Sequence, residues 1–502
     1  MDSDNEGLKG ESPDSQMSSD MALIDAFADG NGRETVLVLG LGFVGSAMTA
    51  ALSMARNGEG KPLYNVIGVD RSDEPNRWKL DAVNGGRSPV ESADERLNQA
   101  FADGLGNGNV LATSSEYAYC KARVVVVDLN LDVTREQRGS ARDYSFSYDM
   151  YKDALSVVAG NIKDESLVII ETTVPPGTTE NVVYPLFKEI FTERGLDSDK
   201  INLAFCYERV MPGPEYLNSV INYYRVYSGI SDHSKELTRG FLESFINTAD
   251  YPLREMETPR AAEAAKILEN SFRAVNIAFV QEWTSLAHQI GIDLFEVVDA
   301  IRVRSTHRNL MYPGFGVGGY CLPKDTLLAD YSINNLFDGD TELRMSLDAL
   351  GVNDLMPEFA FKLLLRKLPN LNGAHVTLLG VSYRNDVADT RNSPSELFYD
   401  LCVDQGAKVR LYDELAAYWS EKNLEIETSL KTFREVQHDV VVFAVNQSSL
   451  SSLTAQDIIS IFSGVKIVID ANNVIADDTG KALFEAGISV AGVGKGHWDQ
   501  WG

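Results

Sequence analysis

The stretch Gly40-Leu41-Gly42-Phe43-Val44-Gly45 stands between a β-branched run, Val36 to Leu39, and a small-residue segment, Ser46 to Ala55. A strand that ends on G-x-G-x-x-G and passes into a helix has a well-defined physical use. Gly40 permits the tight turn, Gly42 lets the backbone approach a pyrophosphate, and Gly45 allows close packing of helix on strand. The helix N-terminus adds donors and positive potential for an anion. Asp70 closes the next strand-like run, 25 residues beyond Gly45. An acid there accepts hydrogen bonds from a ribose diol and repels a 2′-phosphate, so the pattern predicts NAD rather than NADP. Phe43, Val44 and Arg71 complete the expected cofactor contacts.

Further short β-branched runs follow at Val66 to Val69, Val124 to Val127 and Leu167 to Ile170, separated by segments of helical length. Buried parallel strands read this way. From Pro259 to Gly291 there is neither glycine nor a further proline, and Ala264, Ile267, Leu268, Phe272, Val275, Ala278 and Phe279 follow helical spacing. One long helix is predicted there, with Pro259 in its first turn. Strand-like runs resume at Val376 to Leu379, Val409 to Tyr412, Val440 to Val445 and Ile467 to Ile469. The expected fold is α/β: two Rossmann-like doubly wound parallel sheets joined by a central long-helix domain.

The 502 residues are enough for roughly two to four domains. The expected division is a disordered acidic tail over 1–32, an N-terminal NAD-binding Rossmann domain over 33–235, a central helical domain carrying the Cys321 loop over 236–365, and a C-terminal Rossmann-like domain over 366–502. Acids outnumber bases by 28. That field repels duplex nucleic acid and anionic membrane surfaces, so neither is an expected partner. Cys120, Cys206, Cys321 and Cys402 are far apart, with no C-x-x-C pair and no zinc-like spacing. The reading is a protein of a reducing compartment, cytoplasmic and without a bound metal.

The loop Pro313 to Asp325, PGFGVGGYCLPKD, carries four glycines and leads into a helix predicted to begin near Leu322. A cysteine at a helix entrance sits in positive potential that favours the thiolate, which makes Cys321 a candidate nucleophile. Asp325, four residues on, falls on the same helical face and is placed to handle protons. On the long helix, Lys266 and Asn270 are spaced to aim an ammonium and an amide at one developing oxyanion. Three polar segments follow strands, where open α/β sheets place ligand loops: ETTVPPGTTE at 171–180, YERVMPG at 207–213 and GVSYRNDVADTRNSPS at 380–395. Arg384 and Arg391 in the last suit phosphate oxygens.

Read in order, GLGFVG, N-G-G-x-x-P at 84–89, TTVPPGTT, E-R-x-x-P-G, E-A-A-K-x-x-x-N at 263–270, GFGVGGYCLPKD and Y-R-N-D-x-x-D-x-R-x-S-P resemble the UDP-glucose/GDP-mannose dehydrogenase family over about residues 35–490. The resemblance implies a homodimer formed through the central helix of the 236–365 domain and UDP-sugar binding by the C-terminal domain over 366–502. It also implies a four-electron, NAD-dependent oxidation of a nucleotide sugar's primary alcohol through a thiohemiacetal and thioester on Cys321. By similarity, Lys266 and Asn270 stabilise the oxyanion, and Asp325, Thr173 and Glu208 manage protons and the hydrolytic water, Thr173 also lying at the cofactor. Substrate contacts are expected from Glu208, Arg209, Lys266, Asn270, Phe315, Gly316, Gly318, Tyr383, Arg384 and Arg391. A partner-subunit arginine is expected from Arg304 or Arg308.

The chain departs from the family in two places. Asp128, Leu129, Asn130, Leu131 and Asp132 stand where the family has V-P-T-P, and Arg384 stands for a lysine. Glu208, Arg209, Pro212 and Gly213 resemble the UDP-N-acetylhexosamine branch, whereas Gly319 to Asp325 resembles the UDP-glucose branch. The former is preferred, because Arg209 without a second acid nearby departs from the glucose pattern. Two alternatives share the fold: a two-electron β-hydroxyacid-type dehydrogenase, and a non-catalytic nucleotide-sugar-binding protein.

Overall fold

The β-branched runs become strands buried on both faces, as runs without polar alternation must. The computed structural model describes residues 13–501. In its N-terminal half it contains β1 (Glu34–Leu39), β2 (Tyr64–Val69), β3 (Val110–Thr113), β4 (Val124–Val127), β5 (Leu167–Ile170), β6 (Asn202–Tyr207), β7 (Val226–Gly229) and β8 (Arg254–Glu255). These form one sheet in the order β8-β7-β6-β5-β4-β1-β2-β3. Every pair is parallel except β6 with β7. β1 lies between β2 and β4, with Val36 opposite Val66 on one side and Val124 on the other. This is the switch point, where the crevice for a ligand opens beyond the strand ends.

The C-terminal half contains β9 (His375–Leu379), β10 (Lys408–Tyr412), β11 (Val440–Phe443), β12 (Ile467–Asp470) and β13 (Ser489–Gly492). They form a second, wholly parallel sheet in the order β10-β9-β11-β12-β13. The expected α/β class with two doubly wound sheets is therefore what the chain adopts. The long helix runs Pro259–Ile290, about 48 Å at 1.5 Å per residue. Gly291, at φ +70°, ends it. The Ile292 N–H returns to the Ala287 carbonyl at 3.0 Å, the six-to-one bond of a glycine-terminated helix.

The chain packs as two compact units. One comprises the residues up to Leu131 with Ser147–Ala264; the other comprises Asp132–Phe146 with Ala265–Gly502. The division between the units falls inside the long helix. Electrostatics explains why 132–146 joins the second unit. Its hairpin, Val133–Arg135 paired antiparallel with Tyr144–Phe146, presents Arg135 to Asp354. Arg138 reaches Glu396 at 3.1 Å and Arg142 reaches Glu342 at 2.7 Å. Tyr144 donates to Asp330 at 2.8 Å.

The tail also differs from expectation. Its first twelve residues lie outside the described residues, but Pro13–Asp29 is a helix. Ile24 and Ala28, one turn apart, are buried, while Asp25 and Asp29 meet the Lys121 ammonium at 2.7 and 2.6 Å. The Asn65 amide holds the Phe27 carbonyl at 3.0 Å. Acids that look solvated in sequence are thus salt-bridge partners on one face of a docked helix. No helix among the described residues is long and apolar enough to cross a membrane.

Candidate active site

In the first unit, the turn after β1 has the shape its glycines predict. A Cβ at Gly40 (φ +99°) would meet the Asp128 carbonyl oxygen at 2.5 Å, and one at Gly45 would lie 1.8 Å from the Gly40 carbonyl oxygen. A Cβ at Gly42 would meet nothing within 4 Å. No side chain caps the helix Phe43–Met54 that begins there. The turn is closed where helix meets strand and open at the helix N-terminus, which fits a dinucleotide pyrophosphate. Asp70 Oδ2 accepts the Leu41 N–H at 2.9 Å and the Lys79 ammonium at 3.1 Å. Arg71 turns outward, 67% exposed, towards Asp73. Phe43 and Val44 are half-buried, and the Phe43 carbonyl accepts the Tyr216 hydroxyl.

Beyond β4, β5 and β6 the same unit buries Glu171, Glu208 and the carboxyl of half-buried Asp128, with Arg225 just before β7. Arg225 is wholly buried and paired with Glu171. Burial holds the Asp128 carboxyl well above the usual carboxylate range, and Glu171 and Glu208 raise it further. Burial also raises Glu171, against the pull of Arg225, and pushes the Cys206 thiol up to about 12. Glu208 accepts the Val210 N–H. Arg209 donates to the Tyr224 carbonyl at 2.6 Å and the Tyr207 hydroxyl at 2.9 Å. Thr173, just past β5, is half-buried. Glu263 caps the turn of the 171–180 loop: it accepts the Gly177 N–H at 2.5 Å and the Thr179 N–H at 2.9 Å and hydroxyl at 2.6 Å. Burial nevertheless pushes its carboxyl up to about 7.

In the second unit, the helix after the glycine-rich loop is Asp325–Leu336, starting later than the sequence predicts. Cys321 sits in the preceding turn, its carbonyl accepting the N–H groups of Lys324 at 3.1 Å and Asp325 at 2.9 Å. Pro323 lies in that turn, not in the helix. Asp325 is buried, with its two oxygens taken by the Lys324 ammonium at 3.1 Å and the Asn270 amide at 2.6 Å. Lys266, one turn before Asn270, is also buried.

The loop glycines are set by what packs on them. A Cβ at Gly316 would lie 2.5 Å from Pro394, and one at Gly319 would lie 2.7 Å from the Tyr383 ring. At Gly318 it would lie 2.6 Å from the Asn392 carbonyl oxygen. The Gly319 N–H donates to the Arg391 carbonyl, and the Asn392 amide to the Gly319 carbonyl, each at 3.0 Å. Phe315 is buried with its ring 5.6 Å from that of Phe398. Arg391 forks onto Asp389 at 2.7 to 3.2 Å and lies 5.4 Å above the Tyr320 ring, while the Lys324 ammonium lies 4.5 Å from the same ring. Burial and the Asp132 carboxylate hold the Tyr320 hydroxyl protonated, well above the ordinary phenol range.

Three segments match the UDP-glucose/GDP-mannose dehydrogenase family: its NAD binding domain at residues 34–244, its central domain at 260–354 and its UDP binding domain at 377–477. The chain belongs to this family. It is an NAD-dependent oxidoreductase of nucleotide sugars. The chain is 30% identical over 469 residues to a UDP-N-acetyl-D-mannosamine dehydrogenase of Pyrococcus horikoshii, covering 92% of this chain and 99% of that one. It is 27% identical to a protein of the same name from Methanococcus vannielii, covering 92% and 97%. The solved structure of a Pyrococcus horikoshii UDP-D-ManNAc dehydrogenase superposes with a TM-score of 0.76 at 27% identity, covering 92% of this chain and all of that one.

For a UDP-glucose/GDP-mannose dehydrogenase family member, the expected residues group unit by unit. Gly40, Gly42, Gly45 and Asp70 frame one crevice, with Thr173 and Glu208 following strands of the same sheet. Cys321, Asp325, Lys266 and Asn270 belong to the other unit, together with Phe315, Gly316, Gly318, Tyr383 and Arg391. Arg384, Arg304 and Arg308 are exposed. Lys324 and Tyr320 carry direct contacts to this grouping that spacing alone did not single out. Lys324 had a signal, since it is the cation next to Asp325. The Arg225 guanidinium had none, being one arginine in a polar stretch.

Proposed function

We propose that the protein oxidises C6 of UDP-N-acetylmannosamine to the uronate in two NAD-dependent steps with Cys321 as the covalent nucleophile. The observation that carries this reading is the buried Asp325 carboxylate, fixed between Asn270 and Lys324 one turn from Cys321. Support for this sugar comes from the relatives, which are UDP-N-acetyl-D-mannosamine dehydrogenases, and from the Glu208-Arg209 segment. The primary alcohol loses a proton to a carboxylate, for which Glu208 is the candidate, and a hydride. Bound NAD supplies the hydride acceptor in both oxidations. Cys321 Sγ adds to the aldehyde carbon, giving a thiohemiacetal. That species gives up a proton and a second hydride to become a thioester. Water then adds, its proton passing to Asp325 or Glu208 with Thr173 orienting it, and the thiol leaves.

The developing oxyanions meet Lys266 and the second amide hydrogen of Asn270, the first being held by Asp325. Arg391, prefixed by Asp389, and exposed Arg384 suit the diphosphate, and the loop around Phe315, Gly316, Gly318 and Tyr383 suits the nucleoside. The long helix shows Leu268, Phe272, Phe279, Trp283, Leu286 and Ile290 to solvent along one face, Leu268 at 70% exposure. An apolar stripe of this length fits a second copy of the chain, and Arg308 or Arg304 fits the arginine such a copy contributes. Cysteines that form no disulfide among the described residues fit the reducing cytoplasm.

The test is NADH release with limiting UDP-N-acetylmannosamine, UDP-N-acetylglucosamine, UDP-N-acetylgalactosamine or UDP-glucose. Two NADH per UDP-N-acetylmannosamine, with far slower turnover of the others, is expected. One NADH per sugar overturns the four-electron reaction, and preference for another sugar overturns the substrate. Light scattering of the purified protein reads the dimer.

A further inference from the structure

Asp128 ends the strand that borders the cofactor turn. Its N–H donates to the Leu39 carbonyl at 2.8 Å, and its own carbonyl oxygen is the atom against which Gly40 packs. The neighbouring Leu129 N–H is held by the Thr172 hydroxyl at 3.0 Å. Its side chain turns inward, and both carboxyl oxygens are buried without a donor among the described residues. Glu171 Oε2 is in the same condition. Among the described residues, the Glu171 carboxyl stands in hydrogen-bonding relation to the Asp128 side chain. Two carboxylates cannot bond each other, because both only accept; with one proton between them they can. The other groups facing Asp128 are Glu208 after β6, Cys206 in β6, Arg225 before β7 and Tyr151 on the helix Asp149–Asn161. Asp128 and Glu171 thus face one guanidinium in the field of Glu208, and a retained proton relieves the excess negative charge.

We propose that Asp128 and Glu171 form a proton-sharing carboxyl pair, and that Asp128 is through this pair a positioning residue for NAD. Asp128 belongs to the segment that departs from the family's V-P-T-P. A buried, unpaired carboxylate beside Glu171 and Glu208 is expelled towards water. Expulsion carries the Asp128 backbone with it, and that backbone is the wall on which the Gly40 turn rests. The elevated Asp128 and Glu171 carboxyls are those of the closed form. Proton loss therefore opposes NAD binding, and affinity falls as pH rises through the pair's ionisation.

The inference rests on NAD binding and not on sugar turnover, so it is tested without sugar. In the wild-type protein, infrared spectroscopy is expected to show a protonated carboxyl band near neutral pH that disappears on the alkaline side. Over that same range, up to about pH 9.5, the calorimetric Kd for NAD is expected to rise by about tenfold per pH unit, with about one proton taken up per NAD bound. Asp128→Asn, neutral and still able to donate to Glu171, is expected to lose the band and bind NAD with a flat profile. A wild-type protein without the band, or one whose Kd is flat and takes up no proton, overturns the proposal even if the variant does not fold. An Asp128→Asn protein that keeps the wild-type pH dependence overturns it equally. Failure of the sugar assay would leave these readouts unchanged and would count only against the proposed reaction.

Discussion

The Asn270 side-chain amide donates to Asp325 at 2.6 Å, tying the middle of the long helix to the first residue of the helix that follows Cys321. The bond fixes the carboxylate in one rotamer, and the Lys324 ammonium holds its other oxygen. Both partners are drawn from the same short list of residues expected to handle oxyanions and protons, so one contact joins the two roles.

Removing that tie should damage chemistry more than binding. Asp325→Asn leaves Lys324 buried beside a neutral amide and removes the proton acceptor. The expected outcome is a fall in kcat on the order of a hundredfold to ten-thousandfold with little change in KM for the sugar, read from steady-state NADH formation. Asn270→Ala should cost less, about tenfold to a hundredfold, since Lys324 still holds the carboxylate. Equal losses in kcat and affinity would contradict the assigned role.

Cys321→Ser tests covalent capture. The serine hydroxyl is a far weaker nucleophile than a thiolate at neutral pH, so complete oxidation should slow on the order of a thousandfold or more. Mass spectrometry of the wild-type protein quenched during turnover should find the sugar nucleotide joined to the peptide that carries Cys321. A serine variant that still yields two NADH per sugar at the wild-type rate would remove the thioester from the mechanism.

Much of this was legible because the physics was local. Val124–Val127 and Leu167–Ile170 read as buried strands from their own side chains, and Pro259 and Gly291 mark the long helix by backbone restriction alone. The glycine turn and Asp70 carry their function in their spacing. What sequence reading missed depends on partners far along the chain. Arg135, Arg138 and Arg142 look like surface residues until they meet Asp354, Glu396 and Glu342, which draws 132–146 into the second unit. Asp128 reads as a polar loop residue, and only its burial beside Glu171 gives it a charge problem. The helix after Cys321 starts at Asp325 rather than near Leu322, a boundary that composition does not encode.

The docked N-terminal helix should contribute stability. Ile24 is 1% exposed, so Ile24→Ala removes a buried side chain and leaves a cavity, at a cost of about 2 kcal/mol or more if the helix stays in place. Asp25→Asn with Asp29→Asn should cost less, because both carboxylates reach Lys121 at an exposed edge. Thermal melts of these variants and of the chain lacking residues 1–32 decide the matter: an unchanged Tm for all of them would mean that the helix only rests on the first unit.

Glu263 predicts a pH dependence of stability with a definite sign. Its carboxyl titrates at about 7 in the fold against 4.5 for the ordinary glutamate. The folded chain therefore holds this proton when the unfolded chain has released it, and folding takes up a proton between those two values. The stabilising contribution is complete below about pH 4.5, declines as pH rises, and is fully lost above about pH 7. The loss is on the order of 3 kcal/mol at about 1.4 kcal/mol per unit. Glu263→Gln cannot ionise, so it should flatten this segment of the stability curve. It should also lose some stability throughout, because one of its two side-chain ends is a donor facing the Gly177 or Thr179 N–H. Urea unfolding of both proteins between about pH 5 and pH 7.5 is the measurement, compared by the difference in their slopes with pH. Parallel curves would mean that the three donors to Glu263 hold it ionised in the fold and that burial does not govern its titration.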